Sequence, residues 1–123
     1  EVVHVQHVPA GEGIGYGSTY VTPEPMTIAT IPVGYADGYP RSLSNRGTVL
    51  IHGTRCPVVG RICMDQFMVA VPDTITVKPG DKVVLLGSQG HESISALEIA
   101  ALASTIPYEI FCGFSERVPR QYI

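Results

Sequence analysis

The feature that most constrains this chain is the way glycine and proline divide it into short extended runs. Its 13 glycines and 10 prolines recur along the chain and separate segments that are rich in β-branched side chains. Short runs bounded by turn residues are typical of strands, and glycine and proline are poorly tolerated inside helices. The pattern predicts a mainly β fold, a small and partly open β-barrel or sandwich, in which the 123 residues form one domain.

The extended runs and turns can be placed along the chain. Strands are predicted at residues 2–8, 14–22, 26–33, 48–51, 57–59, 67–71, 83–86 and 110–114. His52 and Gly53 predict a hairpin turn, and residues 34–47 predict a long loop. Pro79 and Gly80 occupy the central positions of a predicted type II turn, after which the run at 83–86 is expected to be a buried strand.

One segment is predicted to be helical. Ser95 and Glu98 have the spacing of a capping box, in which the serine hydroxyl accepts a hydrogen bond from a backbone N–H of the first helical turn. The alanine-rich run that follows predicts a helix from Ala96 to Ser104, and Pro107 prevents it from continuing. The expected architecture is therefore mainly β with one short helix.

Charge and residue spacing argue against several classes of function. Eight basic residues stand against eleven acidic ones without clustering, so nucleic-acid binding is not expected. No apolar run approaches the roughly 20 residues that span a bilayer, and no segment resembles a signal peptide. The three cysteines and four histidines lack metal-ligand spacing, so we expect no metal site, reduced thiols and a cytoplasmic protein. The start at Glu1, directly before a strand, is expected of part of a longer protein.

Five strings of the sequence resemble the C-terminal domain of the alanine racemase family, in its order and approximate spacing. They are GYGSTY at 15–20, IPVGYADG at 31–38, VGRICMDQ at 59–66, IPYE at 106–109 and RVPR at 117–120. The resemblance covers nearly the whole chain and implies an enzyme that interconverts L- and D-alanine. In this family an N-terminal (β/α)8 barrel binds pyridoxal 5′-phosphate through a lysine. Two subunits pack head to tail as a homodimer, so that each C-terminal domain completes the partner's active site.

The lysines of this chain agree with a cofactor that is held by another domain. A covalently bound cofactor needs a sheltered amine, whereas Lys78 and Lys82, the only two lysines, flank a Pro-Gly turn that should lie in water. The alternating glycines at 11–17 do not form a phosphate-binding fingerprint either. The chain is therefore expected to be inactive without the barrel.

The resemblance assigns the central chemistry to Tyr16. Racemisation removes a proton from one face of the substrate and returns one to the other, so an acid/base group must stand opposite the cofactor lysine. The family uses a tyrosine that matches Tyr16. A phenol has an ordinary pKa of about 10 and needs cationic neighbours to ionise, which the family supplies as a histidine and an arginine of the barrel. Gly15 and Gly17 would let the backbone approach the cofactor closely.

Other matched residues are assigned to the route that leads to this site. By resemblance Tyr35 lines the inner channel near the substrate, and Met64 offers its backbone N–H to the substrate carboxylate. Three residues are assigned to the access channel: Arg41, Arg61 and Asp65. Asp65 is also expected to hold the backbone beside it, and Asp37 to organise its loop through an Asx turn.

Tyr108 bears on the choice of substrate. By resemblance its hydroxyl binds the cofactor phosphate and its ring narrows the pocket, which favours the methyl side chain of alanine. A serine or broad-specificity racemase remains an alternative, because the barrel would supply much of the pocket. A β-barrel module for binding or dimerisation alone also remains, with the tyrosines and Met64 as core residues and the arginines as solvated or ion-paired charges.

Overall fold

The computed structural model describes residues 1–103, apart from the side chain of Tyr16. The strands in this range are β1 (His4–Val8), β2 (Gly13–Ile14), β3 (Tyr20–Val21), β4 (Met26–Ile31), β5 (Thr48–Ile51), β6 (Thr54–Val59), β7 (Phe67–Val71), β8 (Val83–Val84), β9 (Gly87–Gln89) and β10 (Glu92–Ile94). Helix α1 (Ala96–Ala103) follows them. Three short 3-10 turns lie at Tyr16–Ser18, Tyr35–Asp37 and Arg41–Leu43.

Six of the strands form one antiparallel sheet in the order β1-β4-β7-β6-β5-β8, and this sheet curls into a half-barrel. Strands β5 and β6 are joined by His52 and Gly53, whose φ angles of 53° and 70° fit the tight turn that matches strand twist. Two small hairpins, β2-β3 and β9-β10, complete the β structure of the described residues. The predicted mainly β fold with one short helix is confirmed.

The sheet buries apolar side chains on both of its faces. Successive residues of a strand point to opposite faces, and the neighbours Ile28 and Ala29 of β4 accordingly belong to two different core clusters. The larger cluster extends from the sheet to Ile99 of α1. The smaller cluster contains Ile14 of β2 and Val59 of β6, so the β2-β3 hairpin packs against the sheet. This packing fixes the base of the turn that carries Tyr16.

The two edges of the curled sheet are joined at one corner by Val2. Its N–H donates to the carbonyl of Asp81 at 2.9 Å, and its carbonyl accepts from the N–H of Gly80 at 2.8 Å. The next residue, Val3, donates to the carbonyl of Thr30 in β4 at 3.0 Å. Val2 is itself buried, so the chain next to β1 is tied both to the sheet and to the turn that precedes β8.

Several local predictions are confirmed. Strand β7 has the predicted bounds, and the turn at 52–53 joins two strands as expected. In the Pro-Gly turn, the Asp81 N–H donates to the carbonyl of Lys78 at 3.2 Å and Gly80 has a φ of 96°. The N–H of Glu98 donates to Oγ of Ser95 at 3.0 Å, which is the predicted helix cap. The helix begins at Ala96 as predicted, and the predicted last residue, Ser104, lies outside the described residues.

Other local predictions are wrong. The run at 14–22 is not one strand, because Gly15 and Gly17 both have a φ of 76° and turn the chain between β2 and β3. The run at 83–86 forms a strand only at its first two residues, which are half-buried, because β8 pairs with β5 only there. The 34–47 loop contains two 3-10 turns, and the β9-β10 hairpin was not predicted. The strand predicted at 110–114 lies outside the described residues.

Candidate functional site

An open pocket with a volume of about 280 Å³ lies where two loops of the chain meet. Six residues line this pocket: Tyr35, Arg41, Arg61, Ile62, Cys63 and Met64. Four of them are residues that the sequence resemblance selected: Tyr35, Arg41, Arg61 and Met64. The fold thus brings together two predicted segments that are distant in sequence.

The two loops meet through backbone contacts. The N–H of Tyr35 donates to the carbonyl of Cys63 at 3.1 Å, and the N–H of Ala36 donates to the carbonyl of Met64 at 3.1 Å. These contacts require glycine at position 34, because a Cβ there would overlap the carbonyl oxygens of Cys63 and Met64. Gly34 therefore determines how closely the phenol of Tyr35 and the segment of Met64 approach each other.

A buried carboxylate stabilises the first loop. Asp37 is 4% exposed, and its Oδ2 accepts a hydrogen bond from the N–H of Gly34 at 3.1 Å. The N–H of Asp37 donates in return to the carbonyl of Gly34 at 3.0 Å. Asp37 thus organises its loop, as predicted, through the hydrogen bond that its side chain accepts from the start of the loop at Gly34.

Two guanidinium groups frame the exposed part of the pocket. The Arg41 guanidinium carbon lies 5.6 Å from the centroid of the Tyr35 ring, which is a cation–π distance. Arg61 packs against the turn of Tyr16, where a Cβ at Gly17 would lie 3.3 Å from its Nη1. Tyr35 and Met64 are 46% and 52% exposed. The pocket therefore combines positive charge, a phenol and apolar area, which suits an anionic organic ligand or a covering chain.

The turn that carries Tyr16 lies beside this pocket. The N–H of Ser18 donates to the carbonyl of Gly15 at 3.1 Å and closes the turn. Gly15 and Gly17 adopt left-handed φ angles, and a Cβ at Gly15 would lie 3.2 Å from the backbone nitrogen of Arg61. The glycines are thus required by backbone conformation and by close packing on Arg61. The structure brings the backbone of Tyr16 next to the pocket, and the side chain of Tyr16 lies outside the described part.

Comparison with known proteins identifies the family. The family profile described as "Alanine racemase, C-terminal domain" matches residues 1–122. This chain belongs to the alanine racemase C-terminal domain family. The alanine racemase of Symbiobacterium thermophilum is 62% identical over 118 residues, which are 96% of this chain and 31% of that protein.

Solved structures agree with the family in fold. The alanine racemase of Bacillus anthracis with bound L-Ala-P matches this racemase domain with a TM-score of 0.92 and 48% identity, over 99% of this chain and 31% of that one. The alanine racemase of Bartonella henselae with covalently bound pyridoxal phosphate matches with a TM-score of 0.90 and 39% identity, over 99% and 33%. The chain spans about a third of the length of the relatives that it matches.

The racemase domain does not itself provide a sheltered amine for a covalent cofactor. Both of its lysines, Lys78 and Lys82, are exposed. The backbone N–H of Lys78 donates to Oδ2 of Asp81 at 2.9 Å, which fixes this lysine in the Pro-Gly turn at the surface. A cofactor bound through a lysine would therefore be attached to a different domain.

Some predicted residues lie away from the pocket lining or outside the described range. Asp65 is exposed next to Met64 but does not line the pocket. Tyr108 lies outside residues 1–103. In that range no group of three or more His, Cys, Asp or Glu side chains could hold a metal ion. Helix α1 of the described range is also too short to cross a membrane.

Sequence reasoning missed four residues that shape the racemase domain's site. Ile62 and Cys63 line the pocket, and Ser44 and Asn45 hydrogen-bond to the backbone on either side of Arg61. The one sequence signal at position 45 was the asparagine itself, which stands in a predicted loop before Arg46-Gly47. Asparagine is one of the few residues that tolerate a left-handed backbone conformation, so it indicates a turn. Nothing in the sequence indicated its partners.

Proposed function

We propose that this chain is the C-terminal domain of a pyridoxal phosphate-dependent alanine racemase, and that it completes the active site on the barrel of a second subunit in a head-to-tail homodimer. The observation that carries the proposal is the pocket, where Tyr35, Arg41, Arg61 and Met64 converge beside the Tyr16 turn in a domain of this family. The proposed substrate is alanine, and the proposed location is the cytoplasm.

The proposed division of labour follows from the lysines and from chain length. The N-terminal barrel would hold the cofactor covalently, because the lysines of this chain are exposed and its relatives are about three times as long. When bound, pyridoxal phosphate supplies an electron sink for the charge that is left when the α-proton is removed. The isolated chain is therefore expected neither to take up the cofactor stoichiometrically nor to racemise alanine. Specific uptake would contradict this division.

Tyr16 is proposed as the acid/base group on the face that the cofactor lysine does not serve. Its phenolate would accept the α-proton of one enantiomer, and the phenol that results would donate a proton to form that enantiomer again in the reverse reaction. A phenol needs positive charge nearby to ionise at neutral pH. Arg61, packed against the neighbouring Gly17, contributes positive charge on this side, and the barrel would contribute more.

The remaining pocket residues are proposed to bind and admit the substrate. The N–H of Met64 would donate to the carboxylate of alanine, held in position by the bond from Ala36 to the Met64 carbonyl. Arg41 and Arg61, with Asp65 nearby, would form the access channel and attract the anionic end of the amino acid. Tyr35 would separate this channel from the reacting centre. Tyr108 is proposed to bind the cofactor phosphate and to limit the substrate to a small side chain.

The test is Tyr16→Phe in the full-length holoenzyme. Racemisation should fall by about 10²- to 10⁴-fold in both directions, because every turnover needs an acid/base group on both faces. In D₂O, exchange of the α-proton should continue for the enantiomer that the cofactor lysine serves and stop for the other. The protein should remain folded and yellow with cofactor.

A matched control is available in the same hairpin. Tyr20 is half-buried, and within the described residues its hydroxyl donates to the sulfur of Met26 at 3.8 Å, so Tyr20→Phe removes the same atom at a position outside the pocket lining. This variant should keep full turnover. Wild-type racemisation by Tyr16→Phe would contradict the proposal and favour a module used only for binding or dimerisation.

A further inference from the structure

We propose that Asn45 is a positioning residue of the active site, which sets the distance between the turn of Tyr16 and the loop of Arg61 and Met64. The proposal rests on the proposed function, because it assigns Asn45 a role in proton transfer by Tyr16. Asn45 is exposed and does not line the pocket, so it would act only through the two segments that it joins.

Asn45 makes three hydrogen bonds to these two segments. Its Oδ1 accepts from the backbone N–H of Gly60 at 2.6 Å, and its own N–H donates to the carbonyl of Gly60 at 3.2 Å. Its Nδ2 donates to Oγ1 of Thr19 at 3.1 Å. Gly60 directly precedes Arg61, and Thr19 directly follows the Tyr16–Ser18 turn. One side chain therefore links the two parts of the proposed site.

The chemistry at this position favours asparagine in particular. The Gly60 N–H can only donate, so the amide oxygen must face it and the amide nitrogen is left to face Thr19. The backbone of Asn45 has a φ of 58°, a left-handed conformation that asparagine tolerates better than most residues. Glycine would share the backbone conformation but would lose both side-chain bonds.

The neighbouring Ser44 extends the same support to the other side of Arg61. Its Oγ accepts from the N–H of Ile62 at 2.8 Å and donates to the carbonyl of Arg41 at 2.7 Å. The residues before and after Arg61 are thus both bound by the pair 44–45. Of this pair, Asn45 is the one that also bonds to Thr19, so the loss of its side chain would remove this hydrogen-bonded link and leave the Tyr16 turn in contact with the pocket loop through packing on Arg61.

Two variants of the full-length holoenzyme test this role. Asn45→Gly keeps the left-handed backbone and removes both side-chain bonds. Thr19→Val removes only the bond on the Tyr16 side, at an exposed position where folding should be unaffected. We expect kcat to fall about tenfold in Asn45→Gly and less in Thr19→Val, with KM nearly unchanged, because a misplacement near 1 Å costs up to about 10² in rate.

The decisive measurement is the primary isotope effect with α-deuterated alanine. It should increase for the enantiomer whose proton Tyr16 removes and decrease for the other, because for the other enantiomer the slower Tyr16 step follows the cleavage of the C–D bond and limits the rate more. A loss of folded enzyme would lower the rates of both enantiomers equally and leave both isotope effects at their wild-type values.

Gln89 provides the matched control. Its Oε1 accepts from the backbone N–H of Gly53 at 2.7 Å, which is a bond of the same type between residues outside the pocket lining. Gln89→Ala should change the melting temperature without changing kcat or either isotope effect. Unchanged kcat and isotope effects in both Asn45→Gly and Thr19→Val would overturn the positioning role. A decrease in kcat that is proportional to the decrease in melting temperature, with unchanged isotope effects, would also overturn it. Failure of the proposed function itself would be seen separately, as wild-type racemisation by Tyr16→Phe.

Discussion

The exposed side chains near the two ends of β6 make different kinds of interaction. Where β6 begins, the Arg55 guanidinium bonds to Glu92 at 3.0 Å and to Glu98 at 2.8 Å, and so joins β6 to β10 and α1. The hydrogen bond from Arg55 lowers the pKa of Glu98 below its usual value. Where β6 ends, the chain continues into the loop that lines the pocket. The pocket residues Tyr35 and Met64 expose apolar surface there.

The difference separates an end that is stabilised by ion pairs from an end that carries the pocket. At the first end, charged groups are paired within this chain, so nothing further is needed to stabilise them. At the second end, cationic and apolar groups together face outward, which is typical of surfaces that bind a ligand or partner. Changes at the first end should therefore alter stability, and changes at the second should alter catalysis in the assembled enzyme.

The largest effect is expected at Gly34. In Gly34→Ala the new methyl group would meet the carbonyl oxygens of Cys63 and Met64, so the two pocket loops must separate. We expect kcat/KM of the full-length enzyme to fall about 10²-fold and the free energy of unfolding to fall by about 1–3 kcal/mol. Steady-state kinetics and urea unfolding measure the two effects.

Gly80→Ala is the control for this glycine, because a Cβ there would have no atom within 4 Å. Its φ of 96° should still cost stability, since L side chains rarely adopt that conformation. Full activity of Gly34→Ala, or an equal loss of activity in Gly80→Ala, would contradict the assignment of the pocket as the catalytic end.

The next largest effect concerns the two described thiols. Burial raises the pKa of Cys56 to about 11, whereas Cys63 is partly exposed in the pocket. Since the thiolate is the reactive form, iodoacetamide at pH about 8 should alkylate Cys63 at least about tenfold faster than Cys56. Peptide mass spectrometry separates the two sites. Unfolding in urea should remove the difference, and equal rates in the folded protein would show that the pocket is closed.

A smaller effect is expected at Arg55. Arg55→Met removes both ion pairs and the bond to the carbonyl of Ser93, and should lower the free energy of unfolding by about 1 kcal/mol, because exposed ion pairs contribute little. Racemase kinetics should be unchanged. Arg46→Met removes an exposed arginine elsewhere and serves as the reference for loss of charge. A lower kcat in Arg55→Met, with an unchanged kcat in Arg46→Met, would contradict the conclusion that this end of β6 affects only stability.

The smallest effect is expected at acidic pH and concerns Asp81. The bond from the backbone N–H of Lys78, followed by that from His52 at 2.9 Å, lowers the pKa of Asp81 below its usual 3.8. This carboxylate therefore contributes stability that is present above its unfolded pKa and is lost as the pH falls through the lower, folded value. Below about pH 4, melting temperatures should fall more steeply in the wild type than in Asp81→Asn. Parallel curves would exclude this contribution.

Local sequence signals predicted much of the fold. The β-branched run at 67–71, the His52-Gly53 turn and the cap at Ser95 depend on neighbouring residues and were found as predicted. The run at 14–22 was misjudged although Gly15 and Gly17 carried the signal for a turn. Strands β9 and β10 lack the alternating β-branched pattern, and they form a hairpin because they pack against the rest of the domain.

The candidate site was predictable only in part. Resemblance selected Tyr35, Arg41, Arg61 and Met64, and the structure places all four around one pocket. Asn45 could not be found in this way, because its partners Thr19 and Gly60 lie 26 and 15 residues away. Long-range hydrogen bonds of polar side chains leave no periodic pattern in a sequence. The hydrogen bonds that hold the two loops of the site together could therefore be identified only from the structure.

The bonds made by Val2 bear on how the edges of the sheet are protected from pairing with other strands. An open sheet edge offers unpaired backbone groups, which are the same in every protein and recruit strands with little discrimination. In this domain Val2 is buried and its backbone groups are used by Gly80 and Asp81 at the corner where the two edges come together. A strand of another chain therefore finds neither backbone group of Val2 available for pairing at that corner.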